Sequence, residues 1–286
     1  MRLPVVHMAL VLVAIGAPAG LRSAAADGLI PDKSLEAAVR QMVFDKRDKP
    51  DELTEDDLKK VNQIKATGKG IKDLAGLEKC TNLYEVDFSG NEISDVSPLK
   101  DIKNLQSVNL SKNKLVDIGP LGSIAALQYL ELSDNRIESI EALGKLEKLS
   151  ALYLSGNRIV DPAPVGSLPK LWSLALDRNR ISDLKGLTNV GRLNLLKLDE
   201  NEIADLAPLS KALPTSMLML RKNKITDLGP LVAAVKADTD KRFSPYLRLY
   251  LEGNPLSDEA KKDQIAALKA AGVKVDPTEA KGKASP

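Results

Sequence analysis

Aromatic side chains are scarce: three Phe, one Trp and five Tyr make up 3% of the chain. Rings normally supply much of a core's bulk, so an interior without them must be filled by aliphatics. Cysteine occurs once, at Cys80, and histidine once, at His7. A single Cys excludes an internal disulfide framework and any Cys-rich zinc site. An excess of one charge is also lacking, since 41 basic and 39 acidic residues give a formal +2. That balance lacks the basic footprint of a nucleic-acid binder. Past the first 17 residues no apolar run could span a bilayer.

The N-terminus explains the His. Arg2 is followed by an apolar run from Leu3 to Ala17, then by Ser23-Ala24-Ala25-Ala26. A short apolar core followed by small residues is the layout of a cleavable export signal, so residues 1–26 are expected to be removed before Asp27. Removal takes away Arg2, Arg22 and His7 and leaves a formal charge of zero. A chain without His cannot build a Ser-His-Asp or Cys-His nucleophile or a His-ligated metal site. No cofactor and no metal are expected, and the destination is the periplasm or the medium.

What the sequence does have is a period. Asn91, Asn113, Asn135, Asn157, Asn179, Asn201 and Asn223 are each 22 residues apart, and Asn254 follows after 31. A degenerate copy precedes them, with Ile64, Ala66, Ile71 and Leu74 in phase and Lys69 in the Asn place. The pattern L-x-x-L-x-L-x-x-N, in eight copies after the degenerate one, is that of leucine-rich repeats. Within one unit, Leu105, Val108 and Leu110 fall at strand spacing and point inward. Asn113 stands where the chain turns, and its amide can satisfy backbone groups that the turn would bury. Leu115, Ile118, Leu121 and Ile124 bring the chain back with their apolar side inward. Asp117 is placed to cap a short helical turn that Pro120 begins. One unit cannot bury its own leucines, so stacking is obligatory. The expected fold is an α/β leucine-rich-repeat solenoid: a right-handed arc with one parallel sheet on its concave face.

Both ends of such a stack need covers. Residues 27–60 are the expected N-terminal helical cap, with Pro31-Asp32 at the start of one helix marked by Leu35, Val39 and Val43. Thr54 is the N-cap of a second. The repeats occupy 61–256. A helical C-terminal cap runs over 257–275, with Gly272 as its stop and a last edge strand at Val273-Lys274-Val275. The tail 276–286 has little to bury and is expected to be disordered.

The repeats also carry a more specific motif, N-x-I-x-D-[IVL]-x-P-L, matched well by Asn91-Ile93-Asp95-Val96-Pro98-Leu99 and Asn201-Ile203-Asp205-Leu206-Pro208-Leu209. With the helical cap leading into IKDLAGLEKCTNL, the chain resembles the secreted bacterial leucine-rich-repeat proteins of the internalin type over residues 28–256. The resemblance implies recognition of a protein outside the cytoplasm, through the concave face and without catalysis. It lacks a wall-sorting motif and a downstream Ig-like module, so host-cell invasion is not carried over. Intracellular phosphatase-regulating subunits share the repeat length and give the alternative, a regulator of an enzyme inside the cell. The export signal weighs against it.

Other chemistry-bearing features have plainer readings. Cys80 takes the place held by Ile102 and Ile124 in later repeats and substitutes for a core aliphatic. Asp238-Thr239-Asp240 begins like a calcium loop, but Arg242 and Phe243 stand where an oxygen ligand and Gly are needed. Ser97-x-x-Lys100 and Ser167-x-x-Lys170 sit in the convex half, away from any cleft. Asn109-Leu110-Ser111 is a glycosylation sequon only in a eukaryotic source.

The informative surface is the set of positions flanking the strand leucines, counting the first leucine of each repeat as position 1. Five of the nine aromatics fall there: Tyr84, Tyr129, Tyr153, Trp172 and Tyr250. Leu195, Met217 and Met219 join them. Exposed rings and methionines are what interfaces use as anchors, although Tyr and Trp also favour strands for their own sake. The first four repeats carry more acidic flanking residues (Glu85, Asp87, Glu131, Asp134) and the later ones more basic (Arg178, Lys197, Arg221, Lys222, Arg248). Glu131 is expected to face solvent. The expected partner is a protein, with neither nucleic acid nor membrane involved, and the mature chain is expected to be a monomer.

Overall fold

The computed structural model describes residues 28–276 apart from residues 167, 191–192 and 244–245. The expected export signal, Ser167 of the second S-x-x-K and almost all of the tail lie outside the described residues.

Each turn of the coil gives three residues of strand. They are β1 (Gln63–Lys65), β2 (Glu85–Asp87), β3 (Ser107–Asn109), β4 (Tyr129–Glu131), β5 (Ala151–Tyr153), β6 (Ser173–Ala175), β7 (Leu195–Lys197), β8 (Met217–Met219) and β9 (Arg248–Tyr250). A shorter strand, β10 (Lys274–Val275), closes the far edge. All ten pair in parallel, in sequence order, as one sheet. The middle residue of each strand, from Ile64 to Leu249, is buried, and the first and third flank it on the other face. The degenerate copy therefore pairs like the rest.

The return path is equally regular. Leu115, Ile118, Leu121 and Ile124 are all at most 2% exposed. Most convex segments make a short 3₁₀ turn, such as Gly119–Ser123 or Glu141–Lys145. An aspartate precedes the turn in most repeats: the Asp117 carboxylate accepts the Gly119 N–H at 2.8 Å, and Asp95, Asp161, Asp183 and Asp205 do the same two residues on. Neighbouring turns nearly touch. A Cβ on Gly122 would strike Ala142, one on Gly144 would strike the Pro164 carbonyl, and one on Gly166 the Gly186 carbonyl. The repeat carrying the insertion departs from this, with an α-helix, α3 (Gly229–Lys236), in place of a 3₁₀ turn.

Asparagine holds each turn to the next. The Asn135 side-chain oxygen accepts the Leu115 N–H at 3.0 Å. Its amide donates to the carbonyls of Leu110 at 3.0 Å and Leu132 at 2.9 Å. One buried side chain thus satisfies backbone groups of two successive turns. The same set recurs at Asn91, Asn113, Asn157, Asn179, Asn201 and Asn223. Asn254 makes it across the insertion, to Ile225 N–H and Leu220 C=O, but is only partly buried. The residue before each ladder position has positive φ, whether Gly90 and Gly156 or Lys112, Asp134, Arg178, Glu200 and Lys222.

The covers are built as their sequences require. Helix α1 (Lys33–Met42) buries Leu35 and Val39, and Val43 is buried just past its end. The Asp32 carboxylate accepts the N–H groups of Ser34 and Leu35 at the helix start, and those of Lys72 and Asp73 in the degenerate copy. One side chain therefore caps the helix and ties it to the stack. Helix α2 (Glu55–Lys59) has a capping box between Thr54 and Asp57. At the other end a π-turn over Ala260–Gln264 runs into α4 (Ile265–Ala270), Gly272 takes positive φ, and β10 pairs on β9. Cys80 is fully buried, and desolvation pushes its thiol up to about 12, so it is a core side chain kept as the thiol.

Two expectations test this framework. Asn135→Ala leaves buried backbone groups unpaired and is expected to destabilise by about 1–3 kcal/mol in urea unfolding. Exposed Lys148→Ala serves as the control and should leave the midpoint in place. For Asp32, burial alone would raise the carboxyl, but the backbone donors led by Lys72 outweigh it and hold it below the usual carboxylate range. A lowered folded pKa stabilises above the unfolded value, near pH 4, and that contribution is lost as pH falls through the folded one. Asp32→Asn should therefore unfold more easily than wild type at neutral pH, and the gap between their melting temperatures should narrow below about pH 4. A constant gap across that range would rule out the carboxylate's charge as the source.

Candidate protein-binding face

The first and third residues of the strands form two rows across the concave face. One row runs Glu85, Ser107, Tyr129, Ala151, Ser173, Leu195, Met217, Arg248; the other runs Asp87, Asn109, Glu131, Tyr153, Ala175, Lys197, Met219, Tyr250. Parallel register puts like positions side by side, so the character of the face changes strand by strand.

At its centre two rings meet. Tyr129 on β4 and Tyr153 on β5 have centroids 5.6 Å apart, tilted by 49°. Such tilted pairs are favourable beyond the area they bury. Tyr129 stays 36% exposed, so the pair presents a ring to solvent. Burial, and then the nearby Glu131 carboxylate, push the Tyr129 hydroxyl up to about 12, keeping it a neutral donor at every ordinary pH. Leu195, Met217 and Met219 are half-buried on β7 and β8.

Other expected anchors sit differently. Tyr84 and Trp172 stand one residue before β2 and β6, at the margin where strands begin, and are 40% and 54% exposed. The structure brings the Tyr129 and Tyr153 rings together, whereas Trp172 stands at the margin before β6 and makes no ring pair with them among the described residues. The expectation of an exposed ring at Tyr250 is corrected: it is 6% exposed, with the Arg221 guanidinium 4.6 Å from its centroid. The cation covers the ring, so Arg221 is what that strand pair presents. Glu131 faces outward but is only partly exposed, and its carboxylate accepts the Ser133 N–H at 2.8 Å. Asp87 and Asn109 serve Ser89 and Ser111 in the same way. Sequon Asn109 is thus held in a local turn on the concave side.

The rim beyond the strands is tied together by charge. Asp177 accepts the Asp199 N–H and the Ser155 hydroxyl, and Asp199 accepts the Arg221 N–H. Burial raises both carboxyls above their ordinary range, and in Asp199 the neighbouring Asp177 adds to it. Asp134 reaches Arg178 at 2.9 Å, and Glu200 reaches Lys222 at 2.9 Å. Part of the charge asymmetry read from sequence is therefore spent within the chain. In the insertion, Asp238 accepts the N–H groups of Arg242 and Phe243, which accounts for its place in the loop, and Phe243 is buried.

Sequence reasoning missed two side chains. Phe44, just past α1, is 83% exposed with the Arg47 guanidinium 5.9 Å from its centroid. Its only signal is that it falls out of phase with Leu35 and Val39. Tyr246, 69% exposed, ends the insertion. Arg248, counted among the basic flanking residues in the sequence, stands exposed on β9.

Residues 79–97 and 103–159 match the leucine-rich-repeat family. No curated protein matches the chain by sequence. Among solved structures, an internalin (inlF) of Listeria monocytogenes is 26% identical with a TM-score of 0.66, over 86% of this chain and 75% of that one. Internalin C2 of the same organism is 27% identical with a TM-score of 0.69, over 80% of this chain and 95% of that one. A leucine-rich-repeat protein of Leptospira interrogans, 20% identical with a TM-score of 0.59, shares the fold over 78% of this chain and 62% of its own length.

The Asp134–Arg178 pair skips a repeat, and Gly156 lies beneath it with φ +69. A Cβ there would collide with the Asp134 carboxylate and crowd the Arg178 guanidinium, whereas Gly90, at the equivalent place, has no such neighbour. Gly90→Ala should cost about 1 kcal/mol, the left-handed backbone alone. Gly156→Ala should cost more, roughly 2 kcal/mol, because the ion pair must also open. Equal thermal shifts in the two variants would show that the pair holds nothing.

Proposed function

Because the chain is a leucine-rich-repeat protein of the internalin type, we propose that it is an exported, non-enzymatic module that binds a protein through its concave face. The observation carrying this is the Tyr129–Tyr153 pair, with Leu195, Met217 and Met219 beside it. These side chains stand on the sheet face opposite the core and are still partly exposed. Partly exposed rings and methionines in a cluster, rimmed by charge, have the make-up of an interface centre. The proposed contact residues are Tyr84, Tyr129, Tyr153, Trp172, Leu195, Met217 and Met219, with Tyr250 contributing through the Arg221 it supports. No helix among the described residues is long and apolar enough to cross a membrane.

The triple variant Tyr129→Ala, Tyr153→Ala, Trp172→Ala tests the face. Binding to the protein captured by the wild-type chain from its native extract should weaken by about thirtyfold or more, the cost of one lost anchor. The melting temperature should move little. Unchanged affinity with an intact fold would place the site elsewhere. Export is tested separately, by N-terminal sequencing of the protein recovered from its source: a start at Asp27 is expected, and an intact Met1 would favour the intracellular regulator.

A further inference from the structure

One margin of the concave face carries almost no charge. The residue just before the strand is Tyr84 at β2, Gln106 at β3, Gln128 at β4, Ser150 at β5 and Trp172 at β6, and all five are exposed. The first strand residues beside them add Ser107, Tyr129, Ala151 and Ser173, and the one charge, Glu85, is held by Lys65 at 3.6 Å. In a chain of which 28% is charged, this stripe has little to pair with an ionic ligand and much to meet a neutral one. Its polar groups are only part used. The Gln128 amide donates to the Gln106 side-chain oxygen at 3.3 Å, and the Ser150 hydroxyl donates to the Gln128 C=O at 3.0 Å. The Gln106 amide nitrogen, the Gln128 side-chain oxygen and the Ser107 hydroxyl have no partner among the described residues. Donors and acceptors thus lie side by side, as sugar hydroxyls require, since each of them both donates and accepts.

Exposed rings recur on every second strand, with Tyr84 at β2, Tyr129 on β4 and Trp172 at β6, and Tyr153 braces the middle one. Parallel strands lie ~4.8 Å apart, so successive rings stand about 10 Å apart across the sheet, Tyr129 one residue further along its strand. A sugar in an extended β-1,4-linked chain is about as long as one interstrand step, and each is turned over relative to the last. The same sugar face therefore returns on every second strand, where a ring stands. Aromatic faces are electron-rich and take the C–H side of a sugar. The sugars between fall at β3 and β5, beside Gln106, Ser107 and Ser150. Short 3₁₀ turns back this whole stretch and the wider α3 lies beyond it, so the curve is gentler here and a thin, nearly straight chain can follow it.

We propose that the β2–β6 margin of the concave face binds an uncharged β-1,4-linked glycan laid across the strands, one sugar per strand. This goes beyond the protein reading of the face, because it adds a ligand of another chemical class. Tyr84, Tyr129 and Trp172 then serve both ligands, and Leu195, Met217 and Met219 lie outside the glycan's path.

Trp172 is the chain's one tryptophan, so its emission reports on this stretch. The full chain is titrated separately with cellohexaose and chitohexaose, the bare and N-acetylated forms of one backbone. A saturable change with at least one of them is expected, at a dissociation constant of about 1 mM or tighter, and the tighter one names the sugar. The matching disaccharide reaches only two strands and should bind at least about tenfold more weakly. Maltohexaose, glucose in α-linkage, coils away from the line of rings and should also bind about tenfold or more weakly. Tyr84→Ala should weaken the hexamer by about tenfold, and Gln128→Ala by about fivefold. Both variants keep Trp172 as the reporter, and melting temperature checks their folding. No saturable change with either hexamer overturns the glycan. So does equal binding of maltohexaose, or an affinity that neither substitution alters in a folded chain. If the hexamers fail while the triple aromatic variant loses its captured protein, the glycan fails alone. If a hexamer binds while that variant keeps its captured protein, the protein reading fails and the glycan stands.

Discussion

A coil that turns every 22 residues must bury backbone groups at its corners, and burying them unpaired costs more than the leucines behind them return. The ladder asparagines remove that cost. Each carries an acceptor and a donor pair on one short, planar group, and each spends them on two turns at once. Aspartate could accept but not donate, and serine could not span the corner. The leucine spacing, the flat parallel strands and the sharing of one core by successive turns all presuppose that the corner is solved this way. Stacking then makes the solution repeatable, since each turn is both donor to the one before it and platform for the next.

The same repetition explains why so much of the architecture could be read from residues. A period fixes which positions point inward, and every inward position named in the Leu105 repeat is buried. The caps were legible for a different reason: Asp32, Thr54 and Gly272 are residue types with specific local geometry, and each is used in that role. What escaped the sequence was cross-repeat traffic among outward positions. Alternation says that Tyr250 leaves the core; it does not say that Arg221, from the turn after the preceding strand, will lie over its ring. It says that Glu131 faces outward, but not that the outward side still holds a backbone N–H in need of an acceptor. The Asp134–Arg178 bridge is further from view, because it depends on an absent side chain in the repeat between them. Inward positions obey one rule, burial. Outward positions answer to whichever neighbour stacking brings, and that depends on side-chain reach.

The face therefore mixes two kinds of residue. Asp87, Asn109 and Glu131 are outward yet engaged with their own turns. Tyr129, Leu195, Met217 and Arg248 are outward, and among the described residues none of their side chains hydrogen-bonds its own turn. A surface that spends its polar residues on itself near one end and leaves apolar and cationic ones free towards the other offers a partner direction as well as area.

The convex glycines have a mechanical meaning. Where Gly122, Gly144 and Gly166 let neighbouring backbones come within contact, the outer side of the arc is already at its closest spacing. Flattening forces that press the outer edges together meet hard atoms there, so the middle of the solenoid acts as a stop. At α3 the outer layer is a full helix rather than a 3₁₀ turn, and a helix is the wider object. It works as a wedge, opening the back of the stack and tightening the curve inside it. The arc is consequently a spring of uneven stiffness, rigid under the tyrosine pair and more strongly bent near its C-terminal end, and whatever lies in its hollow must match a curve that is not a circle.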